Sequence, residues 1–243
     1  MKFPRLTLVL AGVLALPLSA RADDAPPPKP LSATAKLGYV QTGGNTQVVT
    51  MLAGDKVDWL AGHWTLKQDG DAVYGKDNSV ENAGRYFFGL RSDYSMSSRV
   101  STYALGSWRR NTFGGINRQF DEGVGLVLHA IKPKPQLLDL EGGAGLTQRQ
   151  DIAYHDDSFS TARVAGLYQY TFHERSKLQL SSAFQMNLKD TRDTQLDSNV
   201  SLAAPIERWL SLTLGYDSLY RGRPLPGFRT VDWTVNAGLQ LSY

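Results

Sequence analysis

The chain contains four histidines and no cysteine, which limits the chemistry that its side chains can perform. Nucleophilic hydrolysis needs a histidine beside a serine and an aspartate, and a metal site needs several nitrogen, sulfur or carboxylate ligands. The histidines are His63, His129, His155 and His173, and none belongs to a Gly-x-Ser-x-Gly, His-Glu-x-x-His or His-x-Ser motif. His155 is followed by Asp156 and Asp157, which we interpret as a solvated turn. We predict no catalytic residues, no metal site and no cofactor.

A second group of residues carries charge. Eleven ionisable side chains alternate with apolar residues along predicted strands, so we expect them to share the inner face of a sheet: Arg85, Arg91, Asp93, Asp139, Glu141, Arg149, Arg163, Lys189, Asp217, Arg221 and Asp232. Facing charges of both signs can form an internal ion-pair network, which satisfies charges that are costly when unpaired. They can also line a narrow polar pore and set its selectivity. The mixture of signs favours the network, and both hypotheses stay open.

The last segment, Val231 to Tyr243, shows the alternation that positions such charges. Apolar residues from Val231 to Tyr243 alternate with polar residues from Asp232 to Ser242, without interruption. In a transmembrane barrel this pattern places one face in lipid and the other in the lumen. The segment also resembles the C-terminal insertion signal of bacterial outer-membrane barrels, through Trp233, Leu239, Leu241 and the final aromatic Tyr243.

From Ala33 onward, similar segments follow one another with turn residues between them and no helical period. We predict an all-β fold, a closed antiparallel up-and-down transmembrane β-barrel of about 12 strands, because lipid offers no hydrogen-bond partner to an open sheet edge. An even number of strands returns both termini to the periplasmic side. Aromatic residues near strand ends are expected to form girdles at the membrane surfaces: Trp59, Trp64, Tyr94, Tyr103, Trp209, Trp233 and Tyr243.

The N-terminus predicts export. Lys2 and Arg5 precede an apolar run, and Ala20-Arg21-Ala22 fits a cleavage site, so we predict a signal peptide at 1–22, a proline-rich lead at 23–32 and the barrel at 33–243. Three of the 26 basic residues and none of the 23 acidic residues lie in the signal peptide. The remaining chain is therefore close to neutral, and a nucleic-acid partner is not expected.

Three stretches resemble a known family: LGYVQTGGNTQ at Leu37 to Gln47, the segment from Asn82 to Leu126, and LDLEGGAGLTQRQ at Leu138 to Gln150. The most specific parts are the turn at Gly44 to Thr46, the pair Arg85-Tyr86, and Gly123 and Gly125 followed by Leu140-Glu141 and Gly143. On these residues the chain resembles the salt-induced outer-membrane protein family, also called domain of unknown function family 481. The resemblance implies an outer-membrane barrel of a Gram-negative bacterium and a link to salt or osmotic stress. It supplies no catalytic residue and no substrate.

We therefore expect an integral protein of the cell outer membrane that acts as a narrow channel or as a structural component of the envelope. Its expected partners are outer-membrane lipid, lipopolysaccharide and, during biogenesis, the barrel-assembly machinery. Two alternatives come from other classes. One is a barrel enzyme that modifies lipid or lipopolysaccharide, and the other is a secreted soluble β-sandwich that binds a ligand.

Overall fold

The computed structural model describes residues 30–43, 49–77, 80–172 and 176–243, so the predicted signal peptide and most of the lead lie outside the described residues. The described chain is almost entirely β-structure. Its strands are β1 (Leu31–Gly43), β2 (Val49–Ala61), β3 (Trp64–Asp77), β4 (Val80–Ser95), β5 (Val100–Asn111), β6 (Ile116–Ile131), β7 (Gln136–Asp151), β8 (Asp156–Phe172), β9 (Ser176–Asn187), β10 (Thr194–Pro205), β11 (Leu210–Arg221) and β12 (Val231–Ser242). No helix among the described residues is long and apolar enough to cross a membrane.

The twelve strands close into one barrel, and each strand pairs antiparallel with its neighbours in sequence. Closure is made by β1 and β12, with Leu37 opposite Leu239 and Gly38 opposite Gly238. The two glycines allow the backbones to approach, because a Cβ atom added at Gly38 would lie 2.6 Å from the Ala237 carbonyl oxygen. The predicted fold class is confirmed, and the closed barrel excludes the soluble sandwich.

The two faces of the barrel have the polarity of a membrane protein. Leu37, Met51 and Val124 point outward and are 66%, 81% and 62% exposed. Gln119 and Thr147 point inward and are only 2% and 1% exposed. This arrangement is the reverse of a soluble domain, in which apolar side chains are buried and polar ones face the solvent. It is the arrangement expected for strands with one face in lipid.

Two predicted positions were wrong. Tyr103 was expected in a girdle, but it points into the lumen and is 3% exposed, because the inward row of β5 also contains Ser101 and Leu105 and thus mixes polar and apolar residues. Lys189 was expected inside the barrel, but β9 ends at Asn187. The Asn187 Oδ1 atom accepts a hydrogen bond from the Lys189 backbone N–H at 2.8 Å and so closes a turn. The Lys189 side chain is 72% exposed at the rim.

The two ends of the barrel differ. The end that carries both termini, here called the terminal end, has short connections such as Gly62-His63. At the opposite end, here called the loop end, the segment 222–230 joins β11 to β12 and contacts a single-turn helix, Thr112–Gly114, that follows β5. An added Cβ atom at Gly115 would lie 2.7 Å from the Leu225 side chain and 3.6 Å from Phe228. Because β5 and β11 lie on opposite sides of the barrel, this contact spans the mouth.

Candidate functional site: the charged lumen

The lumen contains two connected cavities. The larger has a volume of about 580 Å³, and its lining starts near the terminal end at Lys67 and Gln179 and reaches the loop end at Asn111 and Asp232. The smaller, of about 250 Å³, is lined by residues of β3 to β10. Both are lined by Arg91, Arg109, Arg163 and Asp197. The larger cavity therefore runs along most of the height of the barrel.

One side of the lumen, here called the paired wall, is formed by the inward faces of β4 to β8 together with Lys67 of β3. At its centre the Glu141 carboxylate accepts hydrogen bonds from Arg91 at 2.8 Å and from Arg163 at 2.5 Å. Arg91 also contacts Asp93 at 2.8 Å, and Lys67 contacts Asp93 at 3.0 Å. Three cations and two acids thus form one continuous network whose members come from β3, β4, β7 and β8.

Tyr103 explains why the guanidinium groups of the paired wall hold these positions. The Arg91 guanidinium lies over the Tyr103 ring, 4.3 Å from its centroid, and Arg163 lies 5.9 Å from the same centroid. Arg163 also donates to the Tyr103 hydroxyl at 3.4 Å. A cation above an aromatic face is attracted by the ring quadrupole, most strongly where water is excluded. Tyr103 therefore orients both cations toward Glu141.

A second interaction crosses the lumen. Arg109 of β5 contacts Asp197 of β10 at 3.4 Å, and these strands lie on nearly opposite sides of the barrel. The Arg109 side chain is 18% exposed and that of Asp197 is 41% exposed. Both residues line both cavities, so the bridge stands where the two cavities meet.

The region of the lumen nearer the loop end is filled by hydrogen-bonded polar side chains, most of them neutral or acidic. Asp121 of β6 accepts hydrogen bonds from the Gln119 amide at 2.8 Å and from the Thr147 hydroxyl at 2.6 Å. The Gln185 amide of β9 also reaches Thr147, at 3.0 Å. Arg149 of β7 contacts Asp193 at 2.7 Å. These contacts tie β6, β7 and β9 together and narrow the smaller cavity.

The opposite side, here called the open wall, is formed by the inward faces of β10, β11 and β12. Its central acid is Asp217, which accepts hydrogen bonds from the amides of Asn199 at 2.7 Å and Asn236 at 3.1 Å. Among the residues that the structure describes, no cation lies within 4.0 Å of this carboxylate. Asp217 therefore carries a negative charge that two amides stabilise and that Lys36 of β1 offsets only over a longer distance, and it borders the larger cavity.

The predicted charged residues divide among these regions. Arg91, Asp93, Glu141 and Arg163 belong to the paired wall, and Asp217 and Asp232 line the larger cavity beside the open wall. Arg85 lies 3.4 Å from Asp71 in the same cavity. Arg149 contacts Asp193. Arg221 is 9% exposed and donates a hydrogen bond to the Gly114 carbonyl oxygen at the loop end. Asp139 lies apart from both walls, beside His129.

His129 connects Asp139 to a serine. Its Nδ1 atom lies 2.7 Å from the Asp139 carboxylate and its Nε2 atom lies 2.9 Å from the Ser101 hydroxyl. The three residues come from β5, β6 and β7 and lie near the terminal end of the lumen. Ser101 is 3% exposed. This hydrogen-bonded chain was missed in the sequence, where Ser101 and His129 are far apart and no motif joins them.

Arg109, Asp197, Asp71, Lys67 and Asp121 were also missed as lumen residues. The signal for them was present in the alternation of β3, β5, β6 and β10, since each lies at an inward position two residues from another polar one. The sequence pattern does not reveal which residues face each other across the lumen. The pairing of Arg109 with Asp197 joins residues 88 positions apart.

His155 lies in a solvated turn as predicted, but Asp156 and Asp157, which were expected in the same turn, are the first two residues of β8. His155 is exposed, its Nδ1 atom lies 3.2 Å from Asp151, and its backbone N–H donates to the same carboxylate at 2.9 Å. These hydrogen bonds, the backbone one foremost, hold the pKa of Asp151 below its ordinary value. In the described part of the chain, no three histidine or carboxylate side chains are grouped as a metal site requires.

Comparisons with known proteins agree with this architecture. The uncharacterized protein YdiY of Escherichia coli strain K12 is 23% identical over 232 residues, which cover 89% of this chain and 88% of that protein. The solved structure of the NanC porin superimposes with a TM-score of 0.58 and 11% identity, covering 85% of this chain and 98% of the porin chain. At that identity the likeness shows the fold alone. A family model described as "Protein of unknown function, DUF481" matches residues 35–243 and confirms the resemblance, so the chain belongs to the DUF481 family.

Proposed function

We propose that the protein is a channel of the bacterial outer membrane that passes small polar and charged solutes. The observation that carries this proposal is the larger cavity, which extends along most of the barrel height and is lined by charged residues of both walls. A barrel whose only role was structural would gain stability by filling this space with side chains, as small barrels do. Water in the larger cavity would hydrate the charged side chains of both walls.

The outer surface supports the membrane location. Outward leucine and valine side chains form an apolar belt, and Trp59, Trp64 and Trp209 are 49%, 50% and 57% exposed at the terminal end. Lipid and lipopolysaccharide are then the partners of this belt. The terminal strand, with Leu239 and Leu241 facing outward, is the segment that the barrel-assembly machinery would recognise.

The two walls give the channel its selectivity. The paired wall has an excess of cations, and the open wall presents Asp217, so an electric field points across the larger cavity. Solutes that carry separated positive and negative charges fit this field best, because each end faces a wall of opposite sign. The link to salt stress implied by the family is consistent with such zwitterionic solutes and forms part of this proposal.

The loop end acts as a gate. Leu225 and Phe228 of the segment 222–230 lie against Gly115, the residue that caps the helix Thr112–Gly114. Arg221 donates a hydrogen bond to the Gly114 carbonyl oxygen across the same mouth. Loss of the apolar contacts and of this hydrogen bond opens the cavity toward the exterior. Loop contacts of this kind open on the timescale of loop motion.

The experiment is a swelling assay with proteoliposomes that contain the mature protein. We expect liposomes in an isosmotic solution of a small zwitterion to swell faster than protein-free liposomes, and the double substitution Leu225→Ser, Phe228→Ser to increase the rate. Glu122→Gln on the outer face is the matched control and should leave the rate unchanged. Equal rates with and without protein, for both the native chain and the gate variant, would contradict the channel.

One observation favours a second candidate function, hydrolysis of an ester. In Ser101, His129 and Asp139 the histidine lies between a hydroxyl and a carboxylate at 2.9 and 2.7 Å, the arrangement that activates a serine nucleophile. We rank it below the channel because Ser101 is 3% exposed. A fluorophosphonate probe separates the two functions. Labelling that is lost in Ser101→Ala and in His129→Gln would establish the hydrolase, and an unlabelled native barrel would remove it.

A further inference from the structure

The outer face of β2 and β3 carries two polar side chains at mid-membrane height. Along the outward row of β3, Trp64 and Tyr74 are separated by ten residues. At about 3.4 Å per residue and a tilt near 45°, this separation corresponds to about 25 Å, the height of the apolar belt of a membrane barrel. Gln68 lies between them, and Asp55 of β2 is paired with Gly70 on the same face. Both polar groups therefore lie near the middle of the belt.

The Asp55 carboxylate is exposed and has no hydrogen-bond partner among the described residues. An added Cβ atom at Gly70 would lie 2.9 Å from its oxygen, which shows that the carboxylate rests on the outer surface above the glycine. On β9 and β10 the outward hydroxyls of Ser182 and Ser198 satisfy each other at 3.2 Å. Lipid chains offer no hydrogen bond, so a lone carboxylate at this depth marks a contact with another polar group.

Small residues surround Asp55 on the outer face of β1, β2 and β3: Ala33, Ala35, Ala53, Gly70 and Ala72, together with the larger Leu37 and Val57. The outward rows of β11 and β12 consist mainly of leucine, valine and tyrosine. Small residues allow close packing between protein surfaces in a membrane, where association depends on fit and on hydrogen bonds. The β1–β3 face therefore combines mostly small residues around Asp55 with a polar pair of complementary chemistry.

We propose that a second copy of this chain packs against the β1–β3 face. Asp55 and Gln68 lie at similar heights, each four residues above a terminal-end tryptophan, Trp59 or Trp64. A two-fold axis along the membrane normal then places the Gln68 amide of each protomer beside the Asp55 carboxylate of the other. Two reciprocal charge-assisted hydrogen bonds form, and the same patch serves both subunits. The proposal uses the membrane location stated above and does not depend on conduction.

Cysteine cross-linking tests the interface directly, because the native chain contains no cysteine. Ala53→Cys introduces one thiol on the outer face of β2, eight residues from the terminal end of its strand. Ala144→Cys is the matched control, at the same distance from the terminal end of β7 on the other side of the barrel. Upon oxidation in membranes we expect a disulfide-linked dimer for Ala53→Cys only. A monomer, or equal cross-linking of both variants, would overturn the proposal.

A second pair of variants tests the hydrogen bonds. Asp55→Leu and Gln68→Leu should each weaken the dimer at least about tenfold, since each removes two charge-assisted hydrogen bonds. Glu122→Leu removes an outward carboxylate on β6, away from the patch, and should leave the dimer intact. Heat-modifiable migration in gels verifies that every variant still folds. A dimer that persists in Asp55→Leu at native strength would overturn the assignment of Asp55.

Discussion

The two walls of the lumen use charge in different ways. On the paired wall, Arg91, Glu141 and Arg163 neutralise one another over distances of 2.5 to 2.8 Å. On the open wall, Asp217 is held by two neutral amides and faces the larger cavity. The charges of the paired wall therefore stabilise contacts between strands, whereas the Asp217 charge of the open wall can interact with a solute. The difference teaches that an ion-pair network does not exclude the proposed pore, because the two would occupy different sides of one lumen.

The largest expected effect comes from breaking the paired wall. Glu141→Leu leaves Arg91 and Arg163 without their shared carboxylate, and loss of one member of a buried ion pair costs about 3–5 kcal/mol. We expect the free energy of unfolding in urea, followed by tryptophan fluorescence of the folded barrel, to fall by that amount. The triple variant Arg91→Met, Glu141→Leu, Arg163→Met should recover most of the loss, and a triple variant as unstable as the single one would contradict the account.

Removal of the bridge between the walls should change conduction more than stability. Arg109→Ala breaks the 3.4 Å contact with Asp197, a carboxylate that is 41% exposed, so we expect a loss of about 1 kcal/mol. Because Arg109 stands where the two cavities meet, single-channel conductance should rise. Lys56→Ala, which removes a cation from the edge of the larger cavity, is the control and should raise conductance less. Unchanged conductance in Arg109→Ala would place the constriction elsewhere.

A substitution on the open wall should leave stability nearly unchanged. Asp217→Asn keeps the size of the side chain and removes the charge that Asn199 and Asn236 stabilise. We expect a stability change below about 1 kcal/mol and a shift of the reversal potential toward anion selectivity. Glu141→Gln should shift the reversal potential less, because Arg91 and Arg163 neutralise Glu141, and an equal shift would remove the distinction between the walls.

The smallest effect is expected outside both walls, at the turn that ends β7. The pKa of Asp151 is lowered by the backbone N–H of His155, so the folded turn favours the charged carboxylate. This contribution is fully present above the ordinary aspartate pKa and is lost as the pH falls through the lowered value. Hydrogen exchange of the His155 amide should therefore become less protected in acid, and Asp151→Asn should remove the pH dependence. Protection that is independent of pH in the native chain would contradict the assignment.

The sequence predicts the faces of a strand where alternation is uninterrupted. In β12 and β8 the outward apolar rows and the inward Asp232 and Arg163 follow from the pattern, and so does the number of strands. The pattern is ambiguous in β2, because Asp55 interrupts the outward row, and that interruption is itself the signal of a contact on the lipid face. The alternation is misleading for Tyr103, because its ring lies inside the barrel and contacts the guanidinium groups of Arg91 and Arg163.

Contacts across the lumen could not be predicted in the same way. Alternation tells which face a residue occupies but not which strand lies opposite at the same height. The bridge from Arg109 to Asp197 and the chain from Ser101 through His129 to Asp139 depend on strand register and barrel closure. Lys189 shows a related limit. Its backbone N–H donates a hydrogen bond to the Asn187 side chain, and β9 therefore ends at Asn187, two residues before Lys189.

Single-channel recording in a planar bilayer tests the central claim most directly. The native protein should give discrete conductance steps, and the gate variant Leu225→Ser, Phe228→Ser should spend more time open, because the contact across the mouth is lost. Asp217→Asn should shift the ion selectivity of those steps without abolishing them. A correctly folded barrel that is silent in the native form and also in the gate variant would show that the cavity does not conduct and would contradict the account.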